Sequence, residues 1–261
     1  MNTLAKYWVL AELCSHDKQD SGDGDDDKRD YIKDLVAIER PTALFTQMGN
    51  DVEYCYIMEM DDEIAIVFRG TDGDKAWRNN FRLLPPYVDG YMHRGFYELA
   101  ESFIGEVVKY IKSSCGIKSN NLSGCKKKVT VTGHSLGGIL SQYIYKMLWE
   151  RYKLVVMCIN FGAPCGGTKK WAEMINKCPG ENIRVVNGYD IVTEFMDDTI
   201  GGHGGKLVRF PCSWAFKWLP PLQLLSHAYS QYTKALIKYS QGINDTEAVT
   251  ELQKVLKRCN I

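Results

Sequence analysis

The chain has 261 residues, and 32 lysines and arginines are balanced by 32 aspartates and glutamates, so its formal net charge is zero. An apolar fraction of 45% can fill a core, which excludes a chain disordered throughout. The lack of a basic excess argues against nucleic acid as a partner.

The nine cysteines contain no C-x-x-C pair, so neither a zinc site nor a small disulfide scaffold is expected. Most read as reduced, partly buried side chains, while Cys115 and Cys125 flank a loop-like stretch that a disulfide could bridge. The opening segment carries Lys6 and then Glu12 inside a short apolar run, which does not match a secretory signal. No uncharged run is long enough for a transmembrane segment. These features predict a soluble protein in the cytoplasm or another intracellular compartment.

Leu4, Trp8 and Ala11, with Val9 and Leu13, fit one face of a short helix. Residues 16–30 are rich in Asp, Gly and Ser, and Asp23, Asp25 and Asp27 alternate as in a calcium loop. Lys28 stands where the sharp turn needs glycine, and Asp34 where the bidentate Glu belongs, so this reads as a solvated acidic loop. Ala43 to Gln47 and Val52 to Met60 read as strands parted by Gly49-Asn50. Ile64 to Phe68 is a continuous apolar run, the mark of a strand buried on both faces. A polar loop follows from Arg69 to Arg82. Leu99, Phe103, Val107 and Ile111 then space an amphipathic helix from Phe96.

From there strand and helix alternate. Val129 to Thr132 is a strand, and Ile139, Tyr143, Ile144, Met147 and Leu148 form a helix face. Leu154 to Phe161 is a strand, Trp171 to Ile175 a helix and Ile183 to Val186 a strand. Tyr229 to Tyr239 and Thr246 to Leu256 read as final helices. This order predicts an α/β fold with a mainly parallel central sheet and helices on both faces. No linker or repeat divides the chain, so residues 1–261 are expected to form one domain.

Gly133-His134-Ser135-Leu136-Gly137 is a G-x-S-x-G motif with a strand before it and a helix after it, the context that a nucleophilic serine requires. The glycines relieve the tight turn that lifts the hydroxyl to the carboxyl end of the sheet. A serine needs a base to take its proton and a carboxylate to orient that base. The two downstream histidines are His203 and His227. Asp190, at the end of the strand from Ile183, is the leading acid, ahead of Asp197 and Asp198 in the following loop.

Several further motifs stand in order along the chain. They are Phe68-Arg69-Gly70-Thr71, His93-Arg94-Gly95-Phe96, Phe161-Gly162-Ala163-Pro164 and Asp190-Ile191-Val192. With the serine motif they resemble the class 3 lipases, the fungal-lipase-like branch of the α/β-hydrolase fold, over most of the sequence. The resemblance implies a catalytic triad of Ser135, Asp190 and His227. Gly202-His203-Gly204-Gly205 is then similar to a non-catalytic stretch of the family. It implies an oxyanion hole from the backbone N–H groups of Leu136 and Thr71, and a lid over Asp74 to Arg82 with Trp77 as its tryptophan. Lys75, Arg78, Asn79, Asn80 and Arg82 depart from a strongly lipophilic lid, which points to acceptance of short or soluble esters. Trp214 to Leu225, including Trp218, reads either as an acyl-chain or membrane-contacting segment or as a rigid loop on the core.

The expected activity is hydrolysis of carboxylic esters, foremost lipids such as acylglycerols, with no metal and no cofactor. Its partners would be a lipid or other ester substrate and a transient lipid surface. The alternatives are an esterase for short soluble esters and a non-catalytic scaffold used for interactions.

Overall fold

The structure is a computed structural model and describes residues 1–15, 42–48, 51–70, 87–194, 201–211 and 220–258. The acidic stretch 16–30 and the expected lid over Asp74 to Arg82 lie outside the described residues.

Seven strands form one sheet in the order β1-β2-β3-β6-β7-β8-β9. They are β1 (Thr42–Met48), β2 (Asp51–Glu59), β3 (Glu63–Phe68), β6 (Lys128–His134), β7 (Met157–Phe161), β8 (Asn182–Asn187) and β9 (Lys206–Phe210). The pairs β1/β2 and β2/β3 are antiparallel, and every later pair from β3/β6 to β8/β9 is parallel. This is the α/β-hydrolase arrangement, with an antiparallel edge on a parallel sheet.

The alternation of side chains along β3 assigns the two faces of the sheet. Ile64, Ile66 and Phe68 point to one core and Ala65 and Val67 to the other, all fully buried. The first core packs against α2 (Arg94–Cys115), α3 (Leu136–Tyr152) and α4 (Lys169–Asn176). The second packs against α1 (Thr3–Ser15), α6 (Tyr229–Gly242) and α7 (Thr246–Arg258). The helix α3 is buried from Leu136 through Leu148 on every side, as a central helix between sheet and neighbours must be.

Some boundaries differ from the sequence reading for identifiable reasons. The strand expected from Leu154 begins at Met157, because the Leu154 N–H caps α3 through the Leu148 carbonyl at 3.1 Å and is withdrawn from the ladder. A short hairpin, β4 (Tyr87–Val88) and β5 (Met92–His93), precedes α2 and turns at Asp89-Gly90, both with positive φ. The segment before His227 holds a helix, α5 (Pro220–Ser226), where a loop or groove-lining stretch was expected. The proline at its first turn is the residue that best tolerates that position. Trp218 lies outside the described residues.

At the amino end of the parallel strands, α1 is fastened by a polar cluster. Lys6 Nζ reaches Glu63 Oε2 at 2.6 Å, and Thr130 Oγ1 donates to Glu63 Oε1 at 2.6 Å. The buried Tyr7 hydroxyl donates to the same carboxylate. Among the described residues, no helix is long and apolar enough to cross a membrane.

Candidate active site

Ser135 sits where β6 passes into α3, with φ 56° and ψ −121°. A non-glycine residue held at positive φ stores strain, and here the surrounding backbone holds it. Its N–H donates to the Phe161 carbonyl of β7 at 2.9 Å. The glycines on either side allow this close approach. A Cβ on Gly133 would strike the backbone of Gly137 and the Phe68 carbonyl, and one on Gly137 would strike that same carbonyl. Leu136, the next residue, opens α3, so its N–H belongs to the first-turn groups with no acceptor inside the helix. Leu136 is the residue expected as the first oxyanion donor. Thr71, expected as the second donor, lies outside the described residues, as do Trp77, Asp197 and Asp198.

Asp190 and His227 arrive from the loops beyond the carboxyl ends of the strands. Asp190 lies three residues past Asn187, the last residue of β8, and opens the 3-10 turn Ile191–Glu194. The turn fixes its carboxylate, because the Val192 N–H donates to Asp190 Oδ1 at 3.0 Å. His227 lies between α5 and α6. Its N–H donates to the Leu224 carbonyl at 3.0 Å, and the Asn187 side chain donates to the adjacent Ser226 carbonyl at 3.0 Å. The end of β8 thus holds the acid's loop and the histidine's turn together.

The three side chains form one line. His227 Nδ1 lies 2.8 Å from Asp190 Oδ2 and 3.0 Å from Oδ1, and His227 Nε2 lies 2.8 Å from Ser135 Oγ. A carboxylate accepts only, so Nδ1 must carry the proton and Nε2 is left to accept from the serine. Asp190 is fully buried, while the His227 side chain is 14% exposed, so the line runs from the interior to the opening. The other histidine, His203, is elsewhere: its Nε2 lies 2.6 Å from the Thr193 carbonyl, and burial, helped by Arg184, lowers its pKa to about 4.

Sequence reasoning did not place Tyr232 or Trp8 behind this line, while His134 was expected as a histidine beside the site. The buried Tyr232 hydroxyl donates to Asp190 Oδ2 at 2.7 Å. Burial, and then the neighbouring Asp190 charge, push that phenol's pKa well up, so it remains a donor. His134 stacks on His227 with ring centroids 4.5 Å apart, and burial keeps its imidazole neutral. Trp8 of α1 packs behind both, 5.4 Å from His134 and 5.2 Å from Tyr232 between ring centroids.

The Trp8 indole N–H donates to Thr233 Oγ1 at 2.8 Å, and that oxygen lies 2.8 Å from Glu12 Oε2 and 2.9 Å from the Tyr229 carbonyl. One hydroxyl proton cannot serve two acceptors, so the cluster is complete when Glu12 is protonated and donates to Thr233. Burial agrees with this, raising the Glu12 pKa to about 8. Among the described residues, no group of three or more His, Cys, Asp or Glu is placed to hold a metal ion.

Comparison with known proteins accords with the fold. The model of the family Lipase (class 3) matches residues 65–199. Phospholipase A1 PLIP2, chloroplastic, of Arabidopsis thaliana is 28% identical over 183 residues, which is 66% of this chain and 24% of that protein. The chain therefore spans about a quarter of that relative's length. A lipase from Rhizopus microsporus var. chinensis superposes with a TM-score of 0.65 at 19% identity, over 80% of this chain and 74% of that one. The triacylglyceride lipase of Rhizomucor miehei does so with a TM-score of 0.65 at 19% identity, over 86% and 91%.

Proposed function

The chain belongs to the class 3 lipase family, and from that premise we propose that it hydrolyses carboxylic esters of lipids through Ser135, His227 and Asp190. The observation that carries this reading is the unbroken line of hydrogen bonds from Asp190 through His227 to the Ser135 hydroxyl.

In the reaction, His227 Nε2 takes the serine proton as Oγ attacks the ester carbonyl, and the tetrahedral oxyanion forms beside the Leu136 N–H. Thr71 supplies the second donor in this reading. Loss of one such donor typically costs about 10²–10³ in turnover. Asp190 holds the imidazole in the tautomer that accepts from serine and stabilises the imidazolium once it has formed. His227 then gives the proton to the leaving alcohol, which departs and leaves an acyl-serine. Water entering the same place gives its proton to His227 and releases the acid.

The neighbourhood suits an apolar acyl chain. Ile191, next to Asp190, is 38% exposed, and Leu225, two residues before His227, is 54% exposed. Large apolar side chains left in water, adjoining the acid and the base in the chain, favour a substrate that covers them. Trp77 and Trp218 are the lid and substrate-binding residues in this reading. Acylglycerols are the first substrate class. The phospholipase A1 relative favours diacyl phospholipids as the second.

The test is a hydrolysis panel with p-nitrophenyl acetate, butyrate and palmitate, emulsified triacylglycerol and phosphatidylcholine vesicles, using Ser135→Ala as control. The reading predicts turnover of at least one lipid class well above the acetyl ester, abolished in the variant. A rate that peaks at acetyl or butyryl esters and ignores both lipid dispersions would make this a soluble esterase. No Ser135-dependent turnover of any ester would leave the scaffold alternative.

A further inference from the structure

Cys115 and Cys125 lie at the end of the sheet opposite Ser135. Cys115 is the last residue of α2, and Cys125 lies in the loop that enters β6. Their sulfurs are 2.8 Å apart, both side chains are half-buried, and both residues are thiols in this structure. That separation is already inside van der Waals contact for two sulfurs. A disulfide at about 2.05 Å is reached by less than an ångström of further approach.

The loop between them is fixed in the form that brings them together. The Ile117 N–H donates to the Lys112 carbonyl at 2.9 Å and closes the helix end. The Leu122 N–H donates to the Tyr152 carbonyl at the end of α3 at 2.7 Å, and the Cys125 N–H donates to the Leu122 carbonyl at 3.0 Å. Leu122 itself is fully buried. By contrast Cys55, Cys158, Cys165 and Cys178 are all buried and shielded from solvent oxidants.

We propose that Cys115 and Cys125 form a redox-modification site that closes to an intramolecular disulfide in the presence of a small disulfide oxidant such as oxidised glutathione. Burial, and then the adjoining Cys115 thiol, push the Cys125 thiol up to about 11. One thiolate of the pair displaces one glutathione thiolate and forms a mixed disulfide. The second cysteine then gives up its proton, and its sulfur displaces the second glutathione thiolate. Two S–H bonds become one S–S bond, the two protons pass to the two released thiolates, and the oxidant is reduced to two thiols.

The bridge staples the end of α2 to the strand that leads to Ser135. From Lys128 to Ser135 the chain advances seven residues, roughly 23 Å at about 3.3 Å each. The bridge therefore acts on stability and leaves the reacting groups where they are. For a loop this short it raises the melting temperature by about 5–10 °C.

The test uses the full chain, incubated with reduced or with oxidised glutathione, alkylated and digested with trypsin without reduction. Oxidation is expected to join the peptides 113–118 and 119–126, remove two alkylation sites and raise Tm by the amount stated, with kcat unchanged. Cys115→Ser and Cys125→Ser should each abolish both the joined peptides and the Tm gain. Because the oxidised and reduced wild-type protein carry the main comparison, a variant that folds poorly does not decide the matter. Continued alkylation of both cysteines after oxidation would overturn the proposal, as would pairing of either with another cysteine. A bridge that forms without raising Tm, or that changes kcat, would overturn its assignment as a staple.

Discussion

The two faces of the sheet hold the candidate site by different means. On the face covered by α2 and α3, the support of Ser135 is nearly all local. Gly133 and Gly137 open the turn, β6 leads in, α3 leads out, and among the described residues Phe68 and Phe161 of the neighbouring strands meet it. On the face covered by α1 and α6, the support is drawn from across the chain. Tyr232 and Asn187 fix Asp190 and the turn of His227, and Trp8 and Glu12 of α1 reach Thr233 more than two hundred residues away. A nucleophile can be set by one tight turn, because its strain is local. A carboxylate and an imidazole must be held apart and aligned, and that needs packing between distant segments. The first face should therefore respond to substitution in an all-or-none way, and the second in degrees.

The largest contrast lies between the two histidines. His227→Ala removes the base and is expected to lower kcat by about 10⁶, the loss typical of a triad member. His203→Ala removes a ring bound to the Thr193 carbonyl and should leave kcat within a fewfold of wild type. Steady-state hydrolysis of a p-nitrophenyl ester measures both, and the reverse ranking would reassign the base.

Next in size is the effect of pH through Glu12. Its carboxyl is raised by burial from 4.5 to about 8, so between those values the folded protein keeps a proton that the unfolded chain has released. Stability from this group is full below about pH 4.5 and falls by about 1.4 kcal/mol per unit as pH rises toward 8. Glu12→Gln, which keeps the donor to Thr233 and cannot ionise, should flatten that slope. Urea unfolding at pH 5, 6, 7 and 8 reads it directly, and equal slopes in both proteins would mean that Glu12 is not buried as a neutral acid.

The smallest effect is at Tyr232. Tyr232→Phe keeps the packed ring and removes one donor to Asp190. A hydrogen bond to a charged group is worth about 1.5–3 kcal/mol, so kcat should fall by about 10- to 150-fold with KM little changed. Steady-state hydrolysis of a p-nitrophenyl ester measures both constants, and an unchanged kcat would make Tyr232 a packing residue only.

This contrast also accounts for what could be read in the sequence. Ser135 was legible because steric need writes glycines beside it, the buried strand Ile64 to Phe68 was legible from an unbroken apolar run, and Val129 to Thr132 from β-branched residues throughout. Asp190 was found as the residue ending a strand, although it stands three residues beyond β8 in a turn of its own. His203 and His227 could not be separated by spacing, and only the family resemblance chose between them. Tyr232, Asn187, Thr233, Trp8 and Glu12 left no local signal, since each acts through a partner far along the chain. Tyrosine, tryptophan and glutamate on helices read simply as core or surface. Two features did leave a signal that went unread: the Asp89-Gly90 turn between β4 and β5, and the proline at the first turn of α5.

The central claim is that Ser135 is a nucleophile activated by His227. A fluorophosphonate ester, which phosphonylates only an activated serine, tests it most directly when the intact mass is measured and the adduct mapped by peptide sequencing. The account predicts one adduct per chain on Ser135, no adduct in Ser135→Ala and strongly slowed labelling in His227→Ala. An adduct on another residue, or labelling of the His227→Ala protein at the wild-type rate, would contradict it.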